Sequence, residues 1–355
     1  MISLLVVDDS ALMRKLLGKI FAAEADFTLR FAKSGLDALA QIALARPDVV
    51  TLDINMPEMD GLACLDRIMV ETPVPVVMVS ALTAAGAAVT FEALKRGAVD
   101  FVPKPSGAIS LEIEALTAAL VEKVRGAALA RLRGSLRLKE RVRHRIGSEL
   151  QGLAKLPPAR RAAAAGEGLV LVGTSTGGPP ALEALLLPLP ANFPWPVVVA
   201  QHMPASFTGP LASRLDGLCA LRICEVRDME ILTPGCVYIA HGDADLVVEM
   251  GAAGILARTV PSDLSYPWHP SVDRMVRSAM AVVAPENLLG VLMTGMGTDG
   301  AQAMADLQAA GGQTIAEDEE TAVVWGMPGA LVRAGGAQFV LPLPEIAARL
   351  RRMVP

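Results

Sequence analysis

Aromatic residues are scarce in this chain: 8 Phe, 3 Trp and 2 Tyr among 355 residues, 4% in all. Its cores must therefore be filled by Val, Leu, Ile, Met and Ala, which suits parallel α/β sheets better than β-sandwiches. Cysteine is equally sparse. Cys64, Cys219, Cys224 and Cys236 form no C-x-x-C pair and have no metal-ligand spacing, so they read as free thiols in a reducing compartment. No apolar run approaches the ~18 residues of a membrane span. Met1-Ile2-Ser3-Leu4 runs directly into a strand, with no charged leader and no cleavage site. The expectation is a cytoplasmic protein that is not membrane-inserted. Net charge is −5, so there is no general basic excess and no sign of a nucleic-acid partner.

What is present is apolar material, 52% of the chain, enough for two packed cores. Charge is distributed unevenly: Glu122 to Arg161 carries +9, which leaves −14 on the remainder. This basic stretch reads as a solvated helix face or as a contact for acidic surfaces.

The first ~105 residues alternate strand and helix in a regular way. Strands are predicted at 2–7, 28–32, 49–52, 74–79 and 99–102, with helices at 11–23, 36–45, 62–70 and 85–96. A further amphipathic helix is predicted at 111–125. The pattern predicts a five-stranded parallel, doubly wound sheet of flavodoxin type. Residues 1–126 form this first domain, 127–167 a basic linker and 168–355 a second doubly wound α/β domain. In the second domain, strands are predicted at 169–172, 197–200, 289–294 and 313–316, and helices at 180–187, 206–215, 272–282 and 301–309. Strand-rich sequence lies between them.

Asp8 and Asp9 follow the first strand, Asp53 the third, Ser80 the fourth and Lys104 the fifth. In a doubly wound sheet these positions converge at the carboxyl edge, where ligands bind. Three carboxylates there suit Mg²⁺. A carboxylate beside the metal is a nucleophile for phosphorus, and Lys104 and Ser80 are placed to hold phosphoryl oxygens. Each piece alone has an ordinary structural reading, and the five-part order is what carries the signal.

The stretches Leu5-Val-Val-Asp-Asp9-Ser10, Leu52-Asp53-Ile-Asn-Met-Pro-Glu-Met-Asp-Gly61, Met78-Val-Ser80-Ala81 and Asp100-Phe101-Val-Pro-Lys104-Pro105 resemble the response-regulator receiver family. That resemblance implies that Asp53 is the phosphoacceptor and a histidine kinase the phosphodonor. It also implies that Asp8, Asp9, Asp53 and the Asn55 backbone bind Mg²⁺, and that Ser80, Phe101 and Lys104 form the switch. On sequence alone Phe101 reads equally well as a core aromatic.

In the second domain, Gly173-Thr-Ser175-Thr-Gly177-Gly178 joins a strand to a helix. It lacks the G-x-G-x-x-G spacing and the Lys of a P-loop, which argues against nucleotide phosphate. It fits G-x-S-x-G, although a Gly-Ser turn without chemistry has the same pattern. His202 follows the next strand in Gln201-His202-Met-Pro204, and Asp299 follows another in Thr294-Gly-Met-Gly-Thr-Asp299-Gly300. A serine, a histidine and a carboxylate at neighbouring strand ends form an acyl-transfer constellation. The other histidines read as a linker residue (His144), a turn residue (His241) and a residue near substrate (His269).

Together with Pro270-Ser-Val-Asp273 and Gly326-Met-Pro328, these motifs resemble the methylesterase domain of the chemotaxis protein-glutamate methylesterases. The resemblance covers residues 168–350, and with the receiver it spans essentially the whole chain. It implies that Ser175 is the nucleophile, His202 the general base and Asp299 the orienting carboxylate. The implied substrate is a glutamate methyl ester on the cytoplasmic helices of a chemoreceptor, with deamidation of receptor glutamines as a second activity. No cofactor is implied for the hydrolysis. Oxyanion donors are expected among Thr176, Gly177, Gly295 and Met296. Two departures stand out. His241 occupies a position where the family usually has Pro, and Tyr266-Pro267-Trp268-His269 replaces a usually basic segment.

Overall fold

A computed structural model of the protein describes residues 1–80, 84–104, 111–130, 132 and 168–354. The described residues fall into two compact units, each with its own sheet. Most of the expected linker, and His144 with it, lies outside the described residues. No helix among the described residues is long and apolar enough to cross a membrane.

The N-terminal unit runs β1 (Ile2–Val7), α1 (Ala11–Ala22), β2 (Phe27–Ala32), α2 (Gly35–Leu44), β3 (Val49–Asp53), α3 (Gly61–Glu71), β4 (Val76–Ser80), α4 (Ala84–Lys95), β5 (Asp100–Pro103) and α5 (Leu111–Ala128). Its strands are all parallel in the order β2-β1-β3-β4-β5, the expected flavodoxin-type order. β3, β4 and β5 are buried along their whole length, as strands covered on both faces must be. Ser10, Ser34 and Asp60 cap α1, α2 and α3 by accepting backbone N–H bonds. α5 extends two residues beyond the expected boundary at 126.

The C-terminal unit opens with β6 (Leu169–Thr174), α6 (Gly178–Leu186), β7 (Val197–Gln201) and α7 (Ala205–Leu218). Five strands follow: β8 (Arg222–Val226), β9 (Met229–Ile231), β10 (Cys236–Ala240), β11 (Asp245–Gly251) and β12 (Gly254–Val260). It closes with α8 (Val272–Met280), a 3₁₀ turn at Pro285–Asn287, β13 (Leu288–Leu292), α9 (Ala301–Ala309), β14 (Gln313–Glu317), α10 (Met327–Arg333), β15 (Phe339–Leu341) and α11 (Leu343–Met353).

Seven strands form a parallel sheet in the order β15-β14-β13-β6-β7-β10-β8. The stretch that read only as strand-rich supplies β8 and β10 to this sheet. It also supplies a separate antiparallel sheet, β11-β12-β9.

The chain moves outward from β6 to β7 and on to the edge strand β8, steps back to insert β10 between β7 and β8, then returns to build β13, β14 and β15 on the opposite side. The reversal falls between β6 and β13, whose register pairs Leu292 with Gly173. Such a switch point opens a crevice at the carboxyl edge of the sheet. Ser175 follows β6, His202 follows β7 and Asp299 follows β13, so all three expected catalytic residues border that crevice.

Close approach explains one glycine in each unit. A Cβ on Gly61 would overlap the Asp53 carbonyl oxygen and lie 2.8 Å from Ile54 Cα, both backbone atoms that cannot swing aside. A Cβ on Gly178 would overlap the Gln201 amide. Gly61→Ala is expected to destabilise the N-terminal unit by about 2–4 kcal/mol in urea unfolding. Gly217→Ala meets open space on α7 and is expected to stabilise by about 0.5–1 kcal/mol.

Candidate functional site

In the N-terminal unit the expected acidic pocket assembles. One carboxylate oxygen each from Asp8, Asp9 and Asp53 lies within 4.8 Å of the others. Asp8 and Asp53 are fully buried and Asp9 is exposed. Lys104 Nζ donates to Asp53 Oδ2 at 2.7 Å and stands 3.6 Å from Asp8 Oδ2. Burial alone would pull the Lys104 ammonium down, but the Asp53 and Asp8 carboxylates outweigh it and hold it above its ordinary value.

Asp8 is pushed up, chiefly by burial and further by the Asp53 charge, against a backbone hydrogen bond from Ser10. Its Oδ2 has no hydrogen-bond partner among the described residues. A buried carboxylate oxygen left in this condition, beside two further carboxylates, fits a hard cation that keeps part of its water shell.

Ser80 and Phe101 are both buried. The Ser80 hydroxyl meets Thr90 Oγ1 at 2.9 Å and Gly86 O at 3.4 Å, turned toward α4. Lys123 Nζ lies 5.0 Å above the Phe101 ring and donates to Asp100 Oδ1 at 3.0 Å.

In the C-terminal unit, His202 Nε2 and Asp299 Oδ2 are 2.8 Å apart, and both side chains are buried. With Nε2 protonated toward a carboxylate, Nδ1 is left as the acceptor. Nδ1 is buried and has no hydrogen-bond partner among the described residues. Ser175 is 8% exposed and stands at the adjacent strand end, one residue beyond the paired Thr174 and Gln201.

Three groups fix the serine turn. Ser175 N–H donates to Thr294 O at 3.0 Å. Thr294 Oγ1 donates to Thr176 O at 2.8 Å, and Thr294 N–H to Glu317 Oε2 at 2.8 Å. Gln201, in the space left by Gly178, donates to Ser175 O at 3.0 Å and His202 O at 3.1 Å, and accepts from Thr174 Oγ1 at 2.5 Å. One amide thus ties the serine backbone to the histidine backbone.

Asp299 sits on the N-terminus of α8. It accepts from Val272 N–H at 2.7 Å, Asp273 N–H at 3.0 Å and Ser271 Oγ at 3.1 Å, besides His202. Burial pushes its carboxyl up, but the His202 bond and these N–H donors prevail and hold it below the usual carboxylate range. Asp273 is pushed the other way, by burial and the Asp299 charge against an N–H bond from Ala303.

Among the expected oxyanion donors, Gly177 adopts φ +78° at the N-cap of α6. The Gly295 N–H is already committed to Val324 O at 3.0 Å, which removes it from that role. Gly295 also forms a parallel bridge with Trp325.

His241 and His269 serve other carboxylates. His241 Nδ1 meets Glu225 Oε1 at 2.9 Å, and His269 Nδ1 meets Asp245 Oδ1 at 2.9 Å. Trp268 stands out in the sequence only as part of the segment that departs from the family pattern, with no role of its own. Its ring lies nearly parallel to the His202 imidazole, with an interplanar angle of 5° and centroids 6.1 Å apart.

Residues 170–350 match a family model described as CheB methylesterase, and residues 4–115 one described as response regulator receiver domain. The chain is 55% identical over 354 residues to protein-glutamate methylesterase/protein-glutamine glutaminase 2 of Rhodopseudomonas palustris, covering 98% of this chain and 97% of that one. It is 50% identical over 353 residues to protein-glutamate methylesterase/protein-glutamine glutaminase 3 of Rhodospirillum rubrum, covering 99% and 95%. The crystal structure of the Thermotoga maritima CheB methylesterase catalytic domain is 39% identical with a TM-score of 0.51, covering 53% of this chain and 100% of that one.

Three predictions follow from the charges. Asp8→Asn removes a carboxylate that burial and Asp53 disfavour. It is expected to stabilise the metal-free N-terminal unit by about 1 kcal/mol and to abolish Mg²⁺-dependent stabilisation, both read from thermal unfolding. Asp299, Asp245 and Glu225 are all held below the usual carboxylate range by donors that outweigh their burial. Each contributes stability above about pH 4 that is lost as pH falls through its folded value. The urea midpoint of the C-terminal unit should therefore fall steeply below about pH 4. Asp245→Asn, which leaves Arg274 and His269 without their anion, should cost about 3 kcal/mol at neutral pH.

Proposed function

The chain belongs to the CheB methylesterase family, and on that footing we propose that it hydrolyses glutamate methyl esters on chemoreceptors under control of phosphorylation at Asp53. The observation that carries this is the His202–Asp299 bond of 2.8 Å, with Nδ1 left open beside the Ser175 turn.

In the proposed reaction His202 Nδ1 takes the Ser175 proton as Oγ attacks the ester carbonyl. Apo contacts of this kind commonly tighten only when substrate binds. Asp299 keeps the ring in the tautomer that leaves Nδ1 basic and stabilises the imidazolium that forms. Thr176, Gly177 and Met296 remain the backbone N–H candidates for the oxyanion, each such donor being worth about 3 kcal/mol. The imidazolium returns its proton to the leaving methoxide, giving methanol and an acyl-serine. His202 then deprotonates water, which attacks the acyl-serine to release glutamate and Ser175. A receptor glutamine carboxamide would follow the same route with ammonia as leaving group.

In the receiver, Asp53 is the proposed phosphoacceptor and a histidine kinase the donor. Mg²⁺ held by Asp8, Asp9, Asp53 and the Asn55 carbonyl would neutralise phosphoryl charge there. Lys104 and Ser80 would take phosphoryl oxygens, which requires Ser80 to turn from Thr90. Phe101 is the second proposed switch residue. The domain division proposed is 1–126, 127–167 and 168–355, with the substrate a methylated receptor at the cytoplasmic side of the membrane.

Methanol release from methylated receptor tests the reading. Ser175→Ala should lower the rate by about 10⁴-fold or more. Undiminished release would reject the serine mechanism, whereas no release from the wild-type chain would favour a docking protein without catalysis. Asp53→Asn should lose stimulation by a small phosphodonor, and retained stimulation would place the phosphoacceptor elsewhere.

A further inference from the structure

The loop from residue 261 to residue 270 is pinned at both ends by a single buried carboxylate. Asp245, at the start of β11, accepts from Asp263 N–H at 3.1 Å near the loop's beginning. At the loop's end it accepts from His269 Nδ1 at 2.9 Å and Ser271 N–H at 2.8 Å. Arg274 neutralises it at 2.7 Å and also donates to Pro261 O at 2.9 Å. The Asp245 side chain has no exposed surface, so these bonds are not shared with water.

Such a closure holds its apex in one place. The residue next to the His269 anchor is Trp268, and its indole is set down on two parts of the site. One is the His202 imidazole, nearly parallel at 5°. The other is Gly297, at φ +82°, where a Cβ would lie 2.6 Å from the indole. The indole therefore abuts both the catalytic ring and the glycine loop leading to Asp299.

We infer that Trp268 is a positioning residue of the hydrolytic site. This rests on the reading of His202 as general base. The indole keeps the imidazole in the plane in which Nε2 meets Asp299 and Nδ1 remains open, and it opposes a flip that would exchange the two nitrogens. An indole face near an imidazole also favours the protonated ring formed after serine attack. In a segment where the family resemblance leads one to expect basic side chains, this chain has an aromatic one. A cation there would oppose the imidazolium, whereas an aromatic face supports it.

Charged and titratable groups reach the surroundings of His202 from several elements. Asp299 comes from the β13–α9 loop, and Asp273 stands behind it on α8. Asp243 holds Ala205 N–H at 3.0 Å beside the segment that follows His202. His269, Asp245 and Arg274 form the anchor, and Glu317 lies beneath Thr294. None of them is altered by substitution at Trp268.

The test uses the full chain, with methylated receptor as substrate, and measures kcat and KM from methanol release across pH for wild type, Trp268→Phe, Trp268→Tyr and Trp268→Leu. Trp268→Leu should lower kcat about tenfold with KM within about twofold, and move the acid limb of kcat/KM toward lower pH. Trp268→Phe and Trp268→Tyr should recover most of the rate and the wild-type limb. Wild-type kinetics in Trp268→Leu would overturn the inference, as would a loss confined to KM or equal losses in all three variants. If Trp268→Leu fails to fold, the two aromatic variants still decide: a tenfold kcat loss in both, with wild-type thermal midpoints, overturns it. Ser175→Ala is run alongside. If it is inactive while Trp268→Leu behaves as wild type, only the positioning role fails. If it is active, the serine mechanism itself fails.

Discussion

The C-terminal unit depends on one buried carboxylate at a helix start. Asp299 gathers two backbone N–H groups of α8, the Ser271 hydroxyl and the His202 ring. Each hydrogen bond to a charged group contributes on the order of 1.5–3 kcal/mol, and together they offset the cost of burying the charge. The same contacts fix three pieces of backbone: the end of β13, the start of α8 and, through the ring, the end of β7. Remove this anion and the imidazole loses its tautomer while the Val272 and Asp273 N–H groups at the start of α8 lose their acceptor. Fold and chemistry share a single electrostatic solution.

The sheet decides where that solution can form. Parallel strands bring their carboxyl ends to one edge, and the order reverses between β6 and β13. Ser175 and Asp299 flank the reversal, with His202 one strand further along. The loop after β13 must therefore cross toward β7 for Asp299 to reach His202. The positive φ values of Gly297 and Gly300, both +82°, allow that path. Thr294 and Gln201 then lock the serine turn to its neighbours through backbone groups, so the site rests on strand ends rather than on loops alone.

Much of this was legible in the sequence because it depends on local order. A polar residue directly after an apolar run lies at a strand end whatever the surroundings, and that places Asp8, Asp53, Lys104, Ser175 and His202; Asp299, beyond the glycine loop after β13, was legible from its motif. The illegible parts depend on pairings distant in the chain. The hydrogen-bonding of Gly295 is set by Val324, 29 residues on. Trp268 owes its place to Asp245, a carboxylate on another sheet. Ser271 and Asp273 belonged to a matching motif, but their role at Asp299 appears only once α8 is laid against the β13 loop. β8–β12 read as strand-rich without a topology, because alternation does not say which sheet a short strand joins.

The two acidic centres resolve their charge in opposite ways, and the difference matches what each is asked to do. In the hydrolase, donors outnumber the needs of Asp299, so the anion is held firmly and little rearrangement accompanies proton transfer. In the receiver, two buried carboxylates share Lys104, Asp8 is pushed upward and one of its oxygens has no hydrogen-bond partner among the described residues. That arrangement is costly as it stands and is relieved by added positive charge. A site meant to respond to a cation and a phosphoryl group must leave part of its electrostatics unmet, whereas a site meant to turn over repeatedly must not. The same residue type, buried in both units, is stable in one and unsettled in the other because Asp299 gathers two N–H groups, a hydroxyl and the His202 ring, whereas the Asp8 carboxylate has a single backbone donor in Ser10.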